Sequence, residues 1–383
     1  MRQGPCPSVY GRAFALAAAV SAVLALAAPG PAGAVSPPIP RLTLTQLAGQ
    51  RVIYSYPGPN PPASLFARIR AGYAAGVIFF GENIQTRAQI AGVVRRLQVA
   101  RLSSPIHTPL LLMTDQEGGI VKRLPGQPVL SAKQVGQARD NTRAARQAGD
   151  GAGANMRGVG MNLNLAPVLG VFRHAGDFLD QFQRSFSSDP NTVSRLASTF
   201  LVAQQRKGVA ATAKHFPGLG AATANQNTDE GPVTLPLSLR TLRNVDMRPY
   251  PAAIGSGVRL VMTSWATYPA LDPARPAGLS SRIILGELRG RLGFRGVTIT
   301  DAIEAGAIQR FGSIGRRGVL AARAGMDLLL FANKDVGEGD QGLRALTAAL
   351  RSHSLNLTAF RTAVRRILAL RRDVASGRPL PPP

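Results

Sequence analysis

The 383-residue sequence predicts an α/β protein whose single domain closes into a (β/α)8 barrel of the TIM type. Three observations carry that expectation. Short apolar runs alternate with segments of helical spacing, the runs number eight, and several of them end in ionisable residues. Parallel strands covered by helices on both faces read as unbroken apolar runs, whereas a half-exposed strand alternates polar and apolar residues. A doubly wound open sheet is the other architecture with this rhythm.

In order, the runs are Val52–Tyr56, Gly76–Phe80, Leu110–Asp115, Leu163–Val168, Val209–Phe216, Leu260–Trp265, Val297–Asp301 and Met326–Phe331. Between them, Thr86–Val99, Asn191–Lys207 and Leu279–Arg291 have helical spacing, and Asp, Ser or Thr stands near several starts, as helix capping requires.

The ends of the chain fall outside the expected barrel. Arg2 and Arg12 precede an apolar run from Phe14 to Ala28, and Ala32-Gly33-Ala34 offers small residues for a signal peptidase, so residues 1–34 read as a secretory signal. That run is short for a membrane span, so no stable insertion is expected after cleavage. Residues 35–41 read as a Pro-rich linker, 42–373 as the barrel, and 374–383 as a proline-rich tail outside the core. The expected location is secreted or associated with the cell envelope, and the expected state is a monomer.

Composition narrows the chemistry. Cys6 is the only cysteine, so the processed chain has no disulfide, catalytic thiol or cysteine-ligated metal. His107, His174 and His353 are dispersed in the sequence without ligand spacing, so no metal or other cofactor is expected. Lys and Arg number 45 against 20 acids, a net charge of +25, yet the arginines are scattered and aromatic residues make up only 5%. No nucleic-acid module is visible, and the charge suits an anionic envelope polymer as well as it suits Arg-rich codon usage.

Barrel chemistry collects where strands end, and these ends carry Asp115, Lys214 with His215, Trp265 and Asp301. Asp115 can accept two hydrogen bonds from neighbouring sugar hydroxyls, and Gly118-Gly119 would let a ligand approach the backbone. Trp265 either stacks on a sugar face or fills the top of the barrel.

Taken together, Asp115-Gln116-Glu117-Gly118-Gly119, Arg184-Ser185-Phe186 with Asp189-Pro190, Lys214-His215-Phe216-Pro217-Gly218, Tyr268-Pro269-Ala270-Leu271 and Gly293-Phe294-Arg295-Gly296-Val297 running into Thr300-Asp301 resemble glycoside hydrolase family 3. The likeness is to its single-domain β-N-acetylhexosaminidases of the NagZ type. The resemblance implies a retaining glycosidase in which Asp301 is the carboxylate nucleophile and Asp115, Arg123, Arg184, Lys214 and His215 hold the sugar. Nearby cations are expected to keep Asp301 ionised. The implied substrate is a β-linked N-acetylglucosaminide or related β-glycoside from cell-wall glycan, as in peptidoglycan turnover.

The sequence departs from the family pattern at the proton donor. Relatives carry Asp-Ser-His after the Lys-His motif, and counting from Lys214 places that tripeptide on Asn225-Gln226-Asn227, none of which can donate and recover a proton. Leu219 replaces a family histidine, and Gly170 follows Ala166-Pro167-Val168-Leu169 where Asp is usual. Asp229 and Glu230, on the same loop, are the candidates for general acid/base. Two other readings stay open: a glycan-binding relative with reduced catalysis, and a basic envelope scaffold acting through charge alone.

Overall fold

The computed structural model describes residues 41–380 together with Met1. The expected signal peptide, most of the linker and the last three prolines lie outside the described residues.

All eight apolar runs contain strands: β1 Val52–Tyr54, β2 Gly76–Ile78, β3 Leu111–Thr114, β4 Leu163–Asn164, β5 Ala210–Phe216, β6 Leu260–Thr263, β7 Val297–Ala302 and β8 Leu328–Leu330. Consecutive strands pair in parallel, and β1 closes the ring on β8 with Val52 opposite Leu329 and Ile53 opposite Leu330. Helices Ala63–Arg70, Arg87–Ala100, Asn141–Arg157, Pro190–Gln205, Pro249–Gly255, Arg282–Arg291, Ile314–Ala324 and Val336–Arg351 stand in the successive crossovers. The (β/α)8 expectation therefore holds, and the open sheet does not.

Alternation along each strand sorts its side chains between two cores. Ile53, Ile78, Met113, Leu163, Met262 and Ile299 pack inside the barrel. Val52, Tyr54, Val77 and Leu112 point the other way, into the layer under the helices. Helix starts follow their caps: Thr86 accepts from the Gln89 N–H at 3.1 Å, and Asp189 accepts from the Thr192 N–H at 2.9 Å with Pro190 as the first helical residue. The Leu279–Arg291 expectation is refined to a 3₁₀ turn, Ala277–Leu279, and then wide π-type turns over Arg282–Arg291, where the Leu292 N–H donates to the Glu287 carbonyl at 2.9 Å.

The final helix, Leu357–Ala375, closes the bottom of the barrel with Ile367, Leu370 and Val374. Its Arg371 is 1% exposed and donates to the Pro109 and Thr108 carbonyls at 2.7 and 2.9 Å, and burial pushes its guanidinium down to about 9. Beside it Asp327, just before β8, is fully buried between Arg289 and Arg366, each at 2.6 Å. The helix runs two residues into the expected tail, and the described part of the tail packs: Gly377 lies against Gly208, and the Leu380 N–H donates to the Gln205 carbonyl at 3.2 Å.

Candidate active site

A cavity of about 850 Å³ opens at the C-terminal ends of the strands, lined by Asp115, Arg123, Arg184, Lys214, His215, Asp229, Glu304 and Asp301 among others. Two strands enter it with an extra residue. Between Ala213 and Phe216 three steps of β5 face two of β6, and between Ile299 and Ala302 three steps of β7 face two of β8. A regular strand sends neighbours to opposite faces, so without these bulges Lys214 and His215 could not both line the cavity, nor could Asp301 with Ala302. Gly218, after β5, has φ +148°, and a Cβ there would stand 2.6 Å from Asp246 Cβ, so the chain can turn away only with glycine.

One wall is a closed charge cluster. Glu117, on the short strand Gln116–Gly118 that follows β3, takes both arms of Arg184 at 2.9 and 2.8 Å and the Lys214 ammonium at 2.8 Å. Lys214 also reaches Asp115 at 2.6 Å. Burial alone would raise the Glu117 carboxyl, but the charges of Arg184 and Lys214 outweigh it and hold it at about 2. Glu117 is the residue that sequence reasoning quoted within a motif and gave no role. Its signal in the sequence was a buried strand-end lysine, Lys214, that needs carboxylate partners, of which Asp115 is one and Glu117 the other. Gly118 and Gly119 also act differently from the expectation: Cβ atoms there would stand 2.3 Å from the Leu130 carbonyl and 2.5 Å from Ser131 Cβ, so they admit the chain's own segment rather than a ligand.

The opposite wall is not neutralised. His215 Nε2 lies 3.9 Å from Asp301 Oδ2, but burial, then the Arg184 and Lys214 charges, push the imidazole well below its usual range, so it is neutral. Burial and then Asp229 raise the Asp301 carboxyl to about 7. This corrects the expectation that cations keep Asp301 ionised: Arg184 and Lys214 are already held by Glu117 and Asp115. Asp229 is exposed on its outer side, yet the protein around it, together with Asp115 and Glu230, raises its carboxyl despite Arg184 and Lys214. Glu304 is raised to about 7, chiefly by burial.

Asn227 explains how Asp229 comes to be there. Its side chain accepts from the Asp229 N–H at 3.0 Å and donates to Glu230 Oε1 at 2.9 Å, forming an Asx-type turn. The turn is pinned from β7's exit by the Gly306 N–H to the Asp229 carbonyl at 2.8 Å and the Ala307 N–H to Thr228 at 3.1 Å. Asp229 thereby lines the cavity; Glu230 is exposed and does not. The other two departures are apolar together: a Cβ on Gly170 would meet Leu179 at 2.1 Å, and Leu219 packs in the same hydrophobic cluster as Leu179. Trp265 is fully buried and donates through Nε1 to the Ala302 carbonyl at 2.8 Å, so it fills the barrel top and braces the strand that carries Asp301. Three buried polar atoms of cavity-lining residues, Arg123 Nε, His215 Nδ1 and Glu338 Oε2, have no hydrogen-bond partner among the described residues.

The chain was compared with known proteins. The profile of the Glycosyl hydrolase family 3 N terminal domain matches residues 44–370. An uncharacterized secreted glycosyl hydrolase of Arthroderma benhamiae is 45% identical over 345 residues, 90% of this chain and 97% of that protein. A beta-hexosaminidase of Xylella fastidiosa is 34% identical, over 72% of this chain and 82% of its own length. Among solved structures, a family 3 β-N-acetylglucosaminidase of a Paenibacillus species superposes with a TM-score of 0.81 at 34% identity, over 87% of this chain and 63% of that longer one. A β-N-acetylhexosaminidase of Beutenbergia cavernae gives 0.76 at 30% identity, over 86% and 98%. With the family profile spanning the whole barrel and the strand-end cluster inside it, this chain belongs to glycosyl hydrolase family 3 and is a glycosidase.

Proposed function

We propose that the protein is a secreted, retaining β-glycosidase of N-acetylglucosaminides or related β-glycosides, drawn from cell-wall glycan. Asp301 is its nucleophile and Asp229 its general acid/base. The observation that carries this reading is the pair of carboxyls that line one cavity, Asp301 at the end of β7 and Asp229 on the loop after β5, with Asp229 helping to raise Asp301. Two interacting carboxyls titrate as a pair, so a proton on one can pass to the other as their surroundings change. The positive charge that grows at the anomeric carbon favours ionised Asp301, which leaves the proton with Asp229.

Asp301 attacks the anomeric carbon while Asp229 gives its proton to the departing glycosidic oxygen, leaving a glycosyl ester on Asp301. Asp229, now a carboxylate, takes a proton from water; the hydroxide equivalent displaces Asp301 and the sugar leaves. Asp115, with Arg123 and His215, supplies bonds to the ring hydroxyls, and the Glu117–Arg184–Lys214 cluster fixes Asp115 in place. Support for the N-acetyl sugar comes from relatives named as hexosaminidases, and support for secretion from the residue pattern at 1–34 and the relative named as secreted. Among the described residues, no helix is long and apolar enough to cross a membrane.

The test compares Asp229→Asn with Glu304→Gln on two N-acetylglucosaminides. Asp229→Asn should slow an alkyl or sugar leaving group by ~10²–10⁴-fold and an activated aryl group far less, with azide restoring rate on the aryl substrate. Wild-type rates in Asp229→Asn, with the loss appearing in Glu304→Gln instead, would move the proton donor to Glu304. Absence of a covalent adduct at Asp301 with a 2-fluoro sugar, and of any turnover, would leave a glycan-binding protein.

A further inference from the structure

One exposed aromatic at the mouth of the cavity has no role in the chemistry described above. Phe182 lines the cavity and is 41% exposed, the only aromatic residue among the large exposed apolar side chains that are described. Its exposure is imposed by the backbone. The next residue, Gln183, is left-handed with φ 55°, held there by the Gln183 N–H to Asp180 and the Arg184 N–H to Leu179, each at 2.8 Å, and by its side chain at 2.9 Å from Ser131. Phe178 meets the ring edge-on at 5.6 Å and fixes it from below.

The loop that carries Phe182 is tied to the loop that carries Asp229. Gln181 Nε2 donates to the Ala224 carbonyl at 2.7 Å, and the Phe178 N–H to Ala222 at 3.0 Å. The proton donor faces the glycosidic oxygen, so the group that leaves lies on this side of the cavity. Phe182 and Asn227 line the same cavity, and a flat ring there fits a pyranose, whose axial C–H face is apolar.

We propose that Phe182 is the stacking platform for the sugar ring on the leaving-group side, so that this protein prefers a saccharide over a small group there. The proposal rests on the reading of Asp229 as proton donor, which sets the leaving-group side, while its calorimetric arm needs no turnover. The probes are N,N′-diacetylchitobiose and N-acetylglucosaminyl fluoride, which share the sugar that is cleaved and differ in what departs. Phe182→Ala should lower kcat/KM for the disaccharide by ~10-fold and leave the fluoride within about two-fold, and Phe182→Trp should keep both. Binding to Asp301→Asn, measured by calorimetry, should show the disaccharide weakened by a similar factor when Phe182→Ala is added, and free N-acetylglucosamine unchanged. Equal losses on both substrates, or disaccharide binding that ignores Phe182, would overturn the proposal. A wild-type enzyme inert toward the fluoride would sink the hydrolase reading instead, and the calorimetry would still decide the platform.

Discussion

Asp327 and Asp301 sit at opposite ends of the same barrel and live in opposite electrostatic worlds. At the bottom, Asp327 has no exposed side-chain surface and is held by two arginines, and their charge overcomes burial and keeps the carboxyl below its usual range. At the top, Asp301 keeps 22% of its side chain open, has no bound cation, and is pushed up to about 7 by burial and then by Asp229. The carboxyl at the closed end of the barrel is given its counter-charge, and the one on the cavity is not.

The largest effect that would test this contrast is Asp301→Asn, expected to cut turnover by ~10³-fold or more while leaving thermal stability equal or higher. Comparable residual turnover, or a collapse of the melting temperature, would break the comparison at its functional end. Asp327→Asn should do the reverse: a cost of ~3–5 kcal/mol in denaturant unfolding, because two partly buried arginines lose their charged partner, with kcat of the folded protein nearly unchanged.

A smaller effect separates the two acids by pH. Asp301 is raised in the folded state, so its ionisation penalises folding above the ordinary carboxylate range, and the penalty fades as pH falls from about 7 towards 4. Melting temperatures of Asp301→Asn should exceed wild type at pH 8, by on the order of 2 kcal/mol in stability, and converge with it near pH 4. Asp327 is lowered, so its contribution is present above the ordinary carboxylate range and is lost as pH falls through its own lower value. The smallest change is Trp265→Phe, which removes one hydrogen bond to Ala302 and should cost ~1 kcal/mol, with a modest drop in kcat as the strand carrying Asp301 loosens.

The eight strands were legible because burial on both faces leaves an unbroken apolar run, and the strand-end acids and bases were legible because the runs stop at them. The same property hid the bulges: a run with no alternation carries no register, so nothing in Val209–Phe216 betrays the extra residue that turns Lys214 and His215 to one side. Glu117 was overlooked for a related reason. Its partners stand 67 residues away at Arg184 and on β5 at Lys214, and a contact at that range leaves no local pattern. That Asp229 lines the cavity and Glu230 does not depends on the Asx turn at Asn227, whose side-chain bonds are visible only in three dimensions.

Consider, finally, the Glu117–Arg184–Lys214 cluster as an event in folding. Its members come from the ends of three successive strands, and Lys214 and Asp115 are separated by 99 positions in the chain. Loop closure over such separations is slow and is rewarded only when the strands between are already paired. The cluster is therefore complete only once β3 and β5 have been brought into the same ring. Regain of ligand binding during refolding is then a clock for that step rather than for the earlier gain of helix.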